Sequence, residues 1–245
     1  MKYSLIQLVQ KVLSAMDSDR VDTIDDTEES VQVAELARDV YYEIINDREW
    51  PFLNGALSVT SPSDTARPTA LDITDETRRI DYVAYNIARP SEPENYSQLR
   101  FMEPLDFIRA HSGSGDDKLL VTAGNNLRFY VTTNRQPTVW TSFDDGTIYL
   151  NSVDNGVESV VQPSKVSVMG YRIPAFTIED DHVPELPTHF FPLLLAEVKK
   201  AAFRYFKNEG NARDAQIAVS QRAQLQRQAS RSQKSRYFNT NFGRR

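Results

Sequence analysis

The amino-acid sequence predicts an α+β fold: a helical bundle formed by N- and C-terminal helical hairpins, an inserted antiparallel β domain, and an extended C-terminal arm. Three observations carry this expectation. Apolar residues recur at helical spacing near both ends of the chain. Between about Gly55 and Pro184 they alternate with period two. After Asp214 no acidic residue remains.

The first helix is expected over roughly Tyr3–Met16, with Leu5, Val9, Val12 and Met16 on one face and Gln7, Gln10 and Lys11 on the other. An acidic loop containing Asp17, Asp19, Asp22, Asp25 and Asp26 follows. Asp26 or Thr27 is placed to cap the second helix, whose first turn carries Glu28 and Glu29 at the positive end of the dipole. Val33, Leu36, Ala37, Val40 and Ile44 form its stripe. Trp50-Pro51 should stop it, and Trp50-Pro51-Phe52 reads as a plug in the core.

The alternating region gives strands at Ile80–Ile87, Leu119–Thr122, Leu127–Thr132 and Val166–Tyr171, with a short helix around Leu105–Ala110. Val139–Phe143 and Ile148–Leu150 flank Asp144-Asp145-Gly146, a hairpin signature. Helix returns near Phe191 with Pro192 in its first turn. Its stripe of Phe191, Leu194, Leu195, Val198, Ala202, Tyr205 and Phe206 leads to Gly210, a candidate C-cap. A last helix over about Ala212–Ala229 offers Ala215, Ala218, Val219 and Leu225. Neither hairpin can bury its stripes alone, so the expected division is 1–54 plus 186–229 as bundle, 55–185 as β insert and 230–245 as arm.

At 245 residues, 40% apolar and 25% charged, the chain can bury a substantial core. The absence of cysteine excludes a disulfide framework and thiolate metal sites. Gln7, Gln10 and Lys11 interrupt the only N-terminal apolar run, and no run reaches membrane-spanning length. The expectation is a cytosolic product without targeting segment or membrane association. Charge is divided unevenly: residues 191–245 hold 12 Lys/Arg against 3 Asp/Glu, whereas residues 1–190 hold 16 against 31.

No P-loop, dinucleotide fingerprint, nucleophile elbow or HExxH pattern occurs, so the chain is expected not to be an enzyme and to need no cofactor. Gly113-Ser114-Gly115 lacks the following helix that a phosphate cradle requires, and reads as a loop tip. His111, His182 and His189 show no ligand-like spacing. Glu179-Asp180-Asp181-His182 is the best metal-like cluster, but adjacent loop residues seldom converge on one ion, so a solvated acidic loop is the expectation and no metal is assigned. The many carboxylates single out no acid/base pair, which leaves a cell-wall glycan hydrolase as the weakest alternative.

The tail is more informative. Arg231, Lys234, Arg236, Tyr237, Phe238, Phe242, Arg244 and Arg245 combine positive charge with aromatics that have no periodicity for internal burial. Arginine with aromatics is the composition of an interface anchor. It also suits nucleic acid, where arginine neutralises phosphate and rings stack on bases. The acidity of residues 1–190 favours a protein partner over nucleic acid.

The order of elements, with Trp50-Pro51-Phe52 closing the first hairpin, Leu186–Pro192 announcing the return to helix, and Ala196–Phe206 followed by a helix from Asn211-Ala212, resembles the head-to-tail adaptor proteins of short-tailed bacteriophages, the tail tubular protein A type. The resemblance implies a homo-oligomeric ring, dodecameric in that family, fixed beneath the portal protein and receiving the tail nozzle or tube protein on its far side. It implies a virion location in the tail or neck after assembly in the host cytoplasm. The genome would pass through the channel without specific binding, and the arm from Ser230 to Arg245 would dock on the portal.

Overall fold

A computed structural model describes residues 2–89, 92–144, 146–207 and 212–237. The fold is mixed α and β. The chain forms two compact units, one from Met1–Phe52 with Ala175–Arg245 and one from Leu53–Pro174.

In the first unit, α1 (Leu5–Ala15), α2 (Glu28–Asn46) and α4 (Phe191–Ala202) pack on one another, and α5 (Ala212–Tyr237) packs on α4. The expected apolar face of α1 is buried, Leu5, Val9, Val12 and Met16 included. α1 stops because Asp17 takes a left-handed backbone with φ 57° and the Ser18 N–H donates back to the Leu13 carbonyl at 3.1 Å. Thr27, rather than Asp26, caps α2: its Oγ1 accepts from the Ser30 N–H at 3.1 Å. Asp26 instead accepts from the Asp22 and Thr23 N–H groups, and these bonds hold its carboxyl below the usual aspartate range.

Trp50 is the plug its sequence suggests. It is buried and edge-on to Phe190 at 4.9 Å, and its indole N–H donates to the Ile44 carbonyl at 2.7 Å. That bond satisfies one of the carbonyls left over in the last turn of α2.

Two expectations about the C-terminal helices are corrected. α4 does not extend its stripe to Phe206; residues Phe203–Lys207 form a π-helical turn that leaves Tyr205 64% exposed. The widened turn shifts the phase of the side chains, so the i, i+3, i+4 pattern no longer points at the core. α5 runs to Tyr237, so residues 230–237 are helical where an extended arm was expected. Arg231, Gln233, Lys234 and Arg236 are good helix formers set among serines, and no glycine or proline occurs before Gly243. Within α5, Ala218 and Leu225 are buried but Val219 is 67% exposed. The expected cap at Gly210 lies outside the described residues.

The boundary of the β unit falls at Pro174, ahead of residue 185. The reason is local: Phe176 packs on Tyr41 with ring centroids 5.0 Å apart, and its N–H donates to the Tyr42 hydroxyl at 3.2 Å.

The second unit holds two sheets and a separate hairpin. One sheet has the order β1 (Asn54–Ala56), β11 (Val166–Arg172), β4 (Thr77–Asn86), β5 (Tyr96–Gln98), antiparallel throughout. The other has the order β2 (Val59–Thr60), β3 (Ala70–Ile73), β10 (Thr147–Leu150), β9 (Val139–Ser142), β6 (Arg100–Phe101). It is antiparallel except for the parallel pair β6–β9, which departs from the all-antiparallel expectation. β9 and β10 form the expected hairpin, with Tyr149 opposite Thr141.

The five-stranded sheet is covered on both faces. Leu71, Trp140, Ile148 and Leu150 join Val83, Tyr85, Val166 and Val168 of the four-stranded sheet in one core. Their neighbours Ala70, Val139 and Tyr149 point the other way, into a second core with Phe107 of α3 (Pro104–Ala110), Val121 of β7 (Lys118–Thr122) and Phe129 and Val131 of β8 (Arg128–Thr132). Side chains alternate across a strand, so each central strand feeds two cores at once. Gly170 sits at a bulge in the β11–β4 ladder, where a Cβ would meet the Arg79 carbonyl and lie 3.0 Å from Leu57 Cδ1. No helix among the described residues is long and apolar enough to cross a membrane.

Candidate functional site

The residues that the sequence assigns to docking fall at and beyond the end of α5. Arg231, Lys234, Arg236 and Tyr237 lie on its helical backbone, and their side chains lie outside the described residues. Phe238, Phe242, Arg244 and Arg245 lie outside the described residues altogether.

What is described is the root of this segment. Ala218 and Leu225 supply the apolar contact of α5, three and four residues from Arg222 on the same side of the helix. Arg222 Nη2 lies 3.4 Å from Glu197 Oε1 of α4 and 3.2 Å from Glu43 Oε1 of α2. Glu197 is itself buried and also accepts from Lys200 Nζ at 2.9 Å. One turn further along, Gln226 Nε2 donates to Asp47 at 3.3 Å, and Arg48 Nη1 donates to the Gln226 carbonyl at 3.1 Å. A basic helix is thus seated on Glu43, Asp47 and Glu197 through two apolar residues and a set of charged hydrogen bonds. Those bonds are directional and set the register of α5.

The acidic cluster at 179–182 has a structural task. The Asp180 and His182 carbonyls accept from the Ile6 and Leu5 N–H groups at 3.2 and 2.8 Å, which caps α1 from outside its own sequence. The Asp180 carboxylate accepts from the Ile24 N–H at 2.8 Å. His182 Nδ1 lies 3.0 Å from Thr177 Oγ1, and its ring packs edge-on to Phe176 at 4.6 Å. Burial lowers the His182 pKa below its ordinary value, against the opposing pull of Glu179, Glu185 and Asp181. Among the described residues no group of three His, Cys, Asp or Glu is placed to hold a metal ion.

Gly113-Ser114-Gly115 forms an exposed loop, with Lys118 Nζ donating to the Gly113 carbonyl at 2.8 Å. His111 bonds the Phe107 carbonyl through Nδ1 at 2.8 Å. In the β unit, Glu158 is buried, accepts a hydrogen bond from the Tyr85 hydroxyl and lies 3.8 Å from Lys165 Nζ. Burial and then the Glu158 bond push the Tyr85 phenol well above its ordinary range, so it remains protonated. Glu158 also accepts from the Gln162 N–H at 3.2 Å, which pins the loop before β11. This cluster organises a loop.

Sequence reasoning did not foresee two grooves on the helical unit. One, of about 510 Å³, lies between the polar face of α1 and α4 and is lined by Lys11 and Lys199. The other, of about 460 Å³, runs between α2 and the end of α4, where Val40, Arg204 and the exposed Tyr205 meet Glu43 and Glu197. Neither carries a motif; each exists because helices distant in sequence lie side by side. No protein-family model matches the chain, and no curated protein matches it.

Proposed function

We propose that the chain is a head-to-tail adaptor of a short-tailed bacteriophage virion: a structural protein that forms a ring between the portal and the tail nozzle or tube. The observation that carries this reading is α5. It is seated on α2 and α4 by Arg222, Leu225 and Gln226, and beyond them it continues to Tyr237 with basic and neutral residues alone. A helix rooted on one module and running on past its last described anchor suits a connector that reaches into a neighbour.

The module order supports the same reading. Helices from both ends of the chain make one unit, and a β unit is inserted between them. In such a ring the bundle of N- and C-terminal hairpins is the mount, and the acidic excess of residues 1–190 lets DNA slide past without sticking. A ring multiplies weak arms into firm attachment, because each acts at high effective concentration once its neighbours are bound.

Co-sedimentation with portal rings of the same virus tests this. A chain lacking residues 230–245 is expected to lose from its circular dichroism spectrum only the helical signal of residues 230–237, to keep its cooperative unfolding, and to lose attachment. Retained attachment by the truncated chain, or attachment to DNA in preference to portal rings, overturns the reading.

A further inference from the structure

The polar face of α1 forms one wall of the first groove. Gln7, Gln10 and Lys11 stand on it, Tyr3 also lines it, and Leu195 and Lys199 of α4 form the opposite wall, around about 510 Å³. That volume lies in the range of sites that enclose a small ligand or a few side chains of a peptide.

The charge of this groove is at odds with the acidic N-terminal segment that supplies its first wall. Residues 1–52 hold 5 Lys/Arg and 12 Asp/Glu. The groove nevertheless carries two ammonium groups and no carboxylate among its lining residues. Neither lysine is neutralised among the described residues. Lys200, the next residue in the chain, pairs with Glu197 at 2.9 Å, whereas Lys11 and Lys199 have no carboxylate partner among the described residues. Lys11 lies over the Tyr3 ring at 4.8 Å, and Tyr3 is braced edge-on by Phe191 at 6.1 Å. A cation–π contact fixes an ammonium in place without neutralising it, so its charge stays available to a ligand.

The amides are held in a similar way. Gln7 Oε1 accepts from the Ser4 N–H at 3.2 Å, and Gln10 Nε2 donates to the Val21 carbonyl at 2.9 Å. Each is oriented by one end, which keeps the Gln7 amide nitrogen as a donor for an incoming oxygen. Leu195 and the Tyr3 ring supply apolar surface in the same groove.

We infer that this groove binds an extended acidic segment of a partner protein, with carboxylates at Lys11 and Lys199 and an apolar side chain on Leu195. The inference stands apart from the adaptor reading and from the basic tail. Protein is favoured over nucleic acid by charge. A polyphosphate carries its charge beyond any one groove and would meet Asp17, Asp19 and Asp22, which follow α1 directly. An acidic peptide confines its charge to a few residues and uses the apolar wall as well. Exposed ion pairs are individually weak and screened, so the complex is expected to be salt-sensitive.

The test is fluorescence anisotropy of the full chain with a short labelled peptide alternating glutamate and leucine. Binding is expected at low salt and should weaken at high salt. The Lys11→Gln/Lys199→Gln double variant should bind about tenfold more weakly or worse. Lys11→Arg/Lys199→Arg should retain binding, and Arg109→Gln on α3, far from the groove in sequence and in the other unit, should change nothing. Circular dichroism of each variant separates loss of binding from loss of fold. Unchanged affinity in the glutamine variant overturns the inference. So does the absence of binding by the unmodified chain, or displacement of the peptide by a short oligothymidylate at equal concentration.

Discussion

The Nη2 atom of Arg222 on α5 lies 3.4 Å from Oε1 of Glu197 on α4. Because Glu197 is buried, this guanidinium is a main source of neutralising charge there, with Lys200 the other. Arg222→Ala removes the bond and leaves the carboxylate under-satisfied, a change that typically costs about 1–3 kcal/mol. The expected outcome is local. Amide hydrogen exchange in α5 should rise while α1 and α2 stay protected, since the cores of the latter do not depend on Arg222.

Gly170→Ala should destabilise the β unit by about 1–3 kcal/mol, in the range that overpacking produces. The new methyl group would press on the Arg79 carbonyl, which is backbone and cannot swing aside, and on Leu57 at 3.0 Å. Urea denaturation reports the loss. A variant as stable as the parent would show that the bulge in the β11–β4 ladder yields more easily than its geometry implies.

His182 makes the chain sensitive to mild acid, and the sign follows from its lowered pKa. As pH falls through about 6.5, the ordinary histidine value, the unfolded chain takes up the proton more readily than the folded one. Stability therefore falls with pH in this window and levels off once the folded imidazole is also protonated. Above the window the residue contributes nothing. Denaturation at pH 7.5 and 5.5 should show the decline, and His182→Gln should flatten it. Asp26, whose carboxyl is held low, adds its own loss only at far lower pH.

In the tail, aromatic anchors should outweigh single charges. Under the proposed adaptor role, Phe238→Ala is expected to weaken portal attachment by about 2 kcal/mol or more, whereas Arg236→Ala should change it by about 0–1 kcal/mol. The charges should act on association rate, so only the arginine variant should alter the salt dependence of binding kinetics.

The helices and central strands were legible because their signals are local. The Asp144–Gly146 turn between Trp140 and Ile148 specifies the β9–β10 hairpin within a dozen residues, and Leu5, Val9 and Val12 mark the buried face of α1 at sight. What escaped notice depends on neighbours. Thr141, on the same face of β9 as Val139, is buried because a second core covers that face, and nothing in the strand itself announces that core. The length of α5 was missed for a different reason. Residues 230–237 have no apolar stripe, but a stripe reports burial, and helix propensity is a separate property. The α1–α4 groove could be read only in part: spacing put Gln7, Gln10 and Lys11 on one face, but nothing local said that Lys199 would face them.

The split composition of the helical unit has a consequence during synthesis. α1 and α2 leave the ribosome first, but α4, against which they pack, begins only at Phe191. Translation of residues 47–190 takes about 7–29 s at ordinary bacterial and eukaryotic speeds. For that interval Leu8, Val12, Val33 and Ile44 have at most each other for cover, while the contiguous β unit can complete its own cores. The nascent chain is thus a folded β body trailing an unfinished helical pair, the state in which a holding chaperone, or slower growth at low temperature, should most improve the yield of native protein.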